Sequence, residues 1–313
     1  MNVYFASLRT AIDASTVVLL ASMGVMLTER VGVLNLSQEG LIGIGAVAAV
    51  IAATSIDSPW LCLLIGAGAS ALMGLVFAFS VVVVRANQVL CGLAFALLGI
   101  GLSNQLGVGR QGSPVQSVFR PVEIPLLSDL PQVGPALFNH DLVVYLTYLA
   151  LPAVAAFMLF RTRHGMNLRS IGESPAAADA VGVSVIGMRL AYTTIGAALS
   201  GAGGAFLMLS FTPVWSDNVA RGRGWVALAV VIFASRRPWW LVFGSLLYGA
   251  MISLEFRAQA DNWDIPSLAL SMLPYLVTLV LILIPAAAAK LGRRARTTGA
   301  PAALGIPYFR EQR

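Results

Sequence analysis

Two histidines and two cysteines are the chain's whole supply of soft metal ligands and strong nucleophiles, and none is set up for chemistry. His140 and His164 fall in different polar connections, and neither H-E-x-x-H nor G-x-S-x-G occurs. Cys62 and Cys91 fall inside apolar runs, where packed small residues are expected rather than a disulfide or metal pair. No catalytic residue and no metal ligand is assigned. The residues that stand out are helix caps and a few polar groups set in an apolar background.

The most informative segment reads RSIGESPAAADAVGVS from Arg169. Ser174 is a good N-cap, Pro175 suits the first helical position, and Gly182 is a good terminator. With Ala176 to Val181 filling the interior, the segment specifies a helix of about two turns. So short a helix is marginal alone, because nucleation costs more than a few hydrogen bonds return. Something must hold it, either a groove on a partner or the flank of its own bundle.

A second segment, ERVGVLNLSQEG from Glu29, interrupts what would otherwise be one apolar stretch with Asn35, Ser37, Gln38 and Glu39. Two readings stand: polar groups lining a cavity at a helix break, or an interfacial turn with Glu29 and Arg30 paired at the headgroups. A third segment runs from Phe211 through Arg221 to Trp225. Pro213, Gly222 and Gly224 fit a broken or re-entrant element, while Trp215 and Trp225 fit interface anchors.

The elements that carry these segments follow from composition. The 313 residues are 58% hydrophobic and only 11% charged, with a mean hydropathy of +0.82. A soluble domain carries about 25% charge. A spanning helix needs about 20 apolar residues, and candidates lie near 11–28, 33–54, 60–84, 89–104, 142–160, 190–211, 223–235, 238–255 and 267–288. The expected fold is an all-α integral membrane protein of about nine spans, between eight and ten, forming one domain over 1–313. The continuous apolar run Leu279–Ile284 argues against a membrane β-barrel. The first stretch is expected to be an uncleaved helix rather than a signal peptide.

Placing the 161–189 connection and the 290–313 tail in the cytoplasm puts 14 Lys/Arg inside and six outside. The proline-rich connection 105–141 is then external, as is the N-terminus. The tail opens with Lys290, Arg293, Arg294 and Arg296, suited to anionic lipid headgroups rather than nucleic acid. Gly196, Ser200 and Gly204, like Gly66 and Ser70, recur at four-residue spacing and point to a tight helix bundle.

ERVGVLNLSQEG, RSIGESPAAADAVGVS and GRGWVALAVVIF together resemble the signatures of ABC-transporter permeases for branched-chain amino acids, simple sugars and nucleosides, closest to the shorter nucleoside/simple-sugar permease. The resemblance runs from about residue 15 to 290. It implies a bundle like the vitamin B12 importer (type II) class, a second permease in a heterodimer, an external solute-binding protein and a cytoplasmic ABC ATPase. It makes the short helix a coupling helix docked on that ATPase through Arg169, Ile171, Gly172, Glu173, Ser174, Pro175, Ala176 and Asp179. Ser174 stands where the family pattern has asparagine.

The chain has no G-x-x-x-x-G-K-[ST] loop, so ATP and magnesium are expected on the partner and no cofactor on this chain. The expected activity is import of a nucleoside or simple sugar across the bacterial inner membrane by alternating access. The candidate path is Asn35, Ser37, Gln38, Glu39, Trp215 and Trp225, and Arg110 and Arg120 are candidate docking points for the binding protein. The alternatives are a branched-chain amino acid permease and a secondary transporter driven by an ion gradient. The latter should show mid-helix carboxylates, and Asp13, Glu39 and Glu255 all sit toward the ends of the expected helices.

Overall fold

Apolar runs punctuated by caps dictate the helices of this chain. A computed structural model describes residues 3–123, 134, 137–261, 263, 265–290 and 300–309. It contains α1 (Val3–Arg30), α2 (Gln38–Ala52), α3 (Pro59–Val83), α4 (Gln88–Gly107), α5 (Leu142–Arg161), α6 (Arg163–Glu173), α7 (Pro175–Ala180), α8 (Val185–Phe211), α9 (Arg223–Phe233), α10 (Pro238–Ala260) and α11 (Ser267–Lys290). A small antiparallel pair, β1 (Val122–Glu123) and β2 (Asn139–His140), joins the middle of the 105–141 connection to its end, with Val122 opposite His140.

Local chemistry explains the boundaries. Proline starts α3, α7 and α10, where its missing N–H costs nothing. Asn87 caps α4 by accepting from Val89 N at 3.0 Å and Leu90 N at 3.1 Å. Gly32 ends α1 at φ +80°, as Gly32 N and Val33 N close onto the carbonyls of Glu29 and Thr28.

Six helices, α1, α3, α4, α5, α8 and α10, are long and apolar enough to cross a membrane, while α2, α9 and the Ala269–Val280 part of α11 are shorter apolar helices. At 1.5 Å per residue, 15-residue α2 and 11-residue α9 reach about 22 and 16 Å, against a hydrocarbon core of about 30 Å. Six of the nine expected spans are thus full-length among the described residues; polar residues shorten the second and seventh stretches, and the ninth corresponds to the 24-residue α11.

Helices α1 and α8 form the hub, with 83% and 67% of their apolar windows buried, whereas α4 buries 22%. Small residues make the hub possible. A Cβ on Gly24 would stand 2.2 Å from the Gly196 carbonyl, and one on Gly45 would stand 2.2 Å from that of Gly201. Lipid offers no hydrophobic drive to helix association, so such close backbone approach must supply it through van der Waals contact. The Ser70 hydroxyl donates to the Leu41 carbonyl at 2.8 Å, tying α3 to α2. The outer helices present large apolar side chains outward, Leu97 at 71% exposure among them, as a lipid-facing surface requires. Cys62 and Cys91 are both free.

Candidate functional site

The break between α1 and α2 is the most polar buried region of the bundle. Asn35, Ser37, Gln38 and Glu39 are all buried. Asn35 Oδ1 accepts from the Ser37 backbone N–H at 2.9 Å and from its hydroxyl. Gln88 Oε1 accepts from Leu34 N at 2.7 Å, holding the 33–37 segment against the start of α4. Ser200 donates to Gln38 Oε1. Ser200 lies near the middle of the 27-residue α8, so α2 begins at about mid-depth rather than at a surface.

Glu39 makes the decisive contact. Its two carboxylate oxygens accept from the backbone N–H groups of Gly222, at 2.5 Å, and Gly224, at 2.8 Å. These are the N-cap and first-turn donors of α9, which the helix itself cannot satisfy. Gly222 adopts φ +80°, open to glycine, and a Cβ on Gly224 would lie 2.4 Å from Glu39 N. The N-termini of two half-span helices thus meet at one carboxylate, a favourable place for negative charge. The interfacial-turn reading of this segment is overturned. Glu39 is the second residue of α2 and so sits toward a helix end, as expected.

Glu29 is not paired with Arg30. It lies 2.5 Å from Arg236 Nε, and both side chains are buried. Arg30 donates to the Arg236 carbonyl at 2.7 Å. This pair joins the end of α1 to the end of α9, where Ser235 and Arg236 adopt positive φ. The two tryptophans part company. Trp215 is 1% exposed and packed on Gly107, which corrects its reading as an interface anchor, whereas Trp225 is 42% exposed and faces out.

The Arg169–Gly182 segment carries more helix than expected. Thr162 caps α6 by accepting from Gly165 N at 3.0 Å, and α6 runs directly into α7. The Ser174 hydroxyl accepts from Ala177 N at 3.4 Å, and Gly182 ends the turn at φ +85°. The eight candidate residues divide by exposure. Ile171 and Gly172 are buried in their own bundle, and a Cβ on Gly172 would stand 2.4 Å from the Arg30 carbonyl. Glu173, Ser174 and Ala176 are exposed, while Arg169, Pro175 and Asp179 are half-buried. Ile171 and Gly172 can therefore position the element but cannot touch a partner. Arg169 and Arg30 both stack on the Phe160 ring, at 5.4 and 5.8 Å.

The tail segment 300–309 folds onto the same face. Ala303 N donates to the Gly172 carbonyl at 2.9 Å, and Gly305 N to that of Gly32 at 3.2 Å. Buried Arg189 bridges the two regions, donating to the carbonyls of Val31 at 3.0 Å and Ile306 at 3.2 Å. This stretch binds the protein rather than lipid. The expected headgroup cluster Arg293, Arg294 and Arg296 lies outside the described residues.

At the opposite end of the bundle, the 105–141 connection is laced to the end of α8 and the α8–α9 link by Phe119 N on the Leu209 carbonyl and Val115 N on that of Pro213. His140 Nδ1 lies 2.7 Å from Asp13 Oδ1, and Ser210 donates to Asp141. Burial pushes the Asp141 carboxyl above its ordinary range. Arg110 is half-buried, donating to the Leu106 carbonyl at 3.1 Å. Arg120 is exposed and, with Asp57 and Trp60, lines a cavity of about 520 Å³. Pro125, Pro131 and Pro135 of this connection lie outside the described residues.

Sequence reasoning missed α6, the folded tail and Arg223, which is buried between Glu39 and α10. A signal for Arg223 existed: an arginine inside a glycine-spaced apolar run has to be buried or to face water.

Comparison with known proteins gives these sites a context. Residues 8–285 match the family described as the branched-chain amino acid transport system, permease component. A protein of Haloferax volcanii, provisionally named a glucose ABC transporter permease, is 35% identical over 81% of this chain and 78% of its own length. A guanosine ABC transporter permease of Bacillus subtilis is 30% identical over 94% of this chain and 93% of its own. A nucleoside ABC transporter permease of Lactococcus lactis is 30% identical over 95% of both. No solved structure matches the chain.

Proposed function

Because this chain belongs to the family of branched-chain amino acid transport system permease components, we propose that it forms half of the pore of an ATP-driven importer for a nucleoside or simple sugar. It is a multi-pass membrane permease, not an enzyme, and its family implies a partner ATPase and a solute-binding protein. The relatives named for glucose, guanosine and nucleosides support the solute class. None of them supports an ion-gradient carrier. The pore is completed by a second permease in a heterodimer, in a bundle of the vitamin B12 importer type with half-helices counted among its nine spans. The partner ATPase, with ATP and magnesium, supplies the drive.

The observation that carries this reading is α7, a six-residue helix capped by Ser174 and pinned by its own buried face. It is too short to stand alone, and Glu173, Ser174 and Ala176 at its start are exposed. The ATPase grips that exposed edge, with Pro175 and Asp179 beside it. Arg169, Ile171 and Gly172 anchor the element to the end of α1, so that movement of the motor is passed to the helix break beyond it. Asn35, Ser37, Gln38 and Glu39 line the inner part of the path. Trp225 flanks it, and buried Trp215 supports its outer wall.

Reconstituted with its partners, the Arg169→Glu variant, and separately Glu173→Ala, should hydrolyse ATP with solute uptake reduced about tenfold or more. Uptake and hydrolysis are measured on the same vesicles. Uptake that stays in step with hydrolysis in both variants would remove the coupling role.

The exposed guanidinium of Arg120, with Arg110 behind it, presents positive charge to an acidic rim on the binding protein. Affinity between binding protein and permease should therefore fall with added salt, and Arg120→Ala should flatten that dependence. Titrations at about 0.05 and 0.5 M salt measure it. An affinity insensitive to salt in wild type and variant would discard the contact.

A further inference from the structure

Between α9, α10 and α11, on the outer side of the Glu39 junction, lies a cavity of about 230 Å³. Its wall includes Arg221, Arg223, Tyr248, Glu255, Phe256 and Tyr275. Such a concentration of charge and hydroxyl groups within a membrane bundle is costly unless it has a use.

The key residue is Arg223, which is 7% exposed. One terminal nitrogen donates to the carbonyls of Val219 at 3.1 Å and Ala220 at 3.3 Å. Its Nε has no hydrogen-bond partner among the described residues. Arg223 lines the cavity, where its charge has lost much of its hydration and the oxygens of a ligand would take the place of water. Tyr275 donates to the Arg221 carbonyl at 2.8 Å, which fixes its ring at the cavity edge.

We propose that this cavity is a solute subsite, which holds the ring of a neutral polyhydroxylated solute on the outward branch of the path. The inference rests on the importer reading and adds the place and the recognising groups.

Charge narrows the class. A lone anion would meet Glu255 with Glu39 behind it, and a lone cation would meet Arg221 and Arg223. A neutral solute with several hydroxyls can accept from arginine and tyrosine while donating to the carboxylate. Tyr248, Phe256 and Tyr275 offer apolar ring faces for the C–H face of a sugar. Size agrees, since the cavity falls below the ~300–1,000 Å³ that holds drug-sized ligands and suits a single sugar ring. That ring could be a free sugar or the ribose of a nucleoside.

The test uses the full complex with its ATPase, second permease and binding protein in liposomes. Uptake of D-glucose, D-ribose and a purine ribonucleoside is measured for wild type, Glu255→Gln, Tyr248→Phe and Tyr275→Phe. KM for the transported solute should rise about tenfold in Glu255→Gln and severalfold in the tyrosine variants. Whichever of the three solutes shows the shift identifies the source of the ring. If wild type transports one of them and no variant changes its KM, the subsite is wrong while the importer reading stands. If wild type transports none, the solute class fails and the subsite with it. Should Tyr248→Phe not assemble because its side chain is buried, Glu255→Gln at the more open edge decides the matter.

Discussion

Glu39→Ala, at matched membrane levels, should cut solute uptake at least about tenfold. The substitution strips the acceptor from the N–H groups of Gly222 and Gly224 in a buried site. Each buried donor left unsatisfied costs about 1–3 kcal/mol, and about 1.4 kcal/mol is already a factor of ten in any equilibrium that depends on the junction. Glu39→Gln should lie between, because one amide oxygen can accept while the amide nitrogen faces a second donor. Hydrogen exchange across 222–226 gives an independent reading, which should quicken in Glu39→Ala. Wild-type uptake and unchanged exchange together would show that the two half-helices are held by something other than this carboxylate.

Breaking the Glu29–Arg236 pair should have the largest effect on stability. Removing one partner of a buried ion pair typically costs about 3–5 kcal/mol, whereas replacing both with apolar residues of similar volume can be neutral. Glu29→Gln should lower the thermal midpoint of the detergent-solubilised protein by several degrees, with Arg236→Met similar. The double variant Glu29→Leu/Arg236→Met should recover much of the loss. Additive losses in the double variant would mean that the two side chains act separately, Glu29 through α1 and Arg236 through the positive-φ turn after α9. The pair joins the end of α1, which packs on α6, to the end of α9, so its loss should also weaken the link between the coupling element and the pore.

Much of the architecture was legible because membrane helices declare themselves locally. Continuous apolar runs marked the position of each long helix. The cap at Ser174, the proline at 175 and the terminator at Gly182 placed α7 correctly. The small-residue spacing in α8 anticipated its close packing on α1, although not that Gly24 is the partner. The α6 helix was missed because its sequence is basic and poorly apolar, and what shapes it is the cap at Thr162 and the close approach of Gly165 to the Met158 carbonyl of α5.

The candidate sites were less legible, since every decisive contact in them is long-range. Nothing near Glu29 in the chain points to Arg236 rather than the adjacent Arg30. Neither Trp215 nor Trp225 reveals locally which is wedged against Gly107 and which faces out. The tail's basic opening announces lipid, while its binding to Gly172, Gly32 and Arg189 runs through backbone groups that any sequence possesses.

By itself, then, the sequence determined the class of molecule: a bundle of apolar helices with little charge, basic connections and one stubby capped helix. These properties come from composition and nearest-neighbour chemistry, which act along the chain whatever the fold. Only the tertiary structure decided that α2 and α9 are half-helices meeting at depth, that one carboxylate caps the second of them, and that Arg223 faces a polar cavity. Those outcomes depend on which backbone donors and which charges are brought together across about 180 residues of chain, and hydrogen bonding and desolvation act only once that distance has closed.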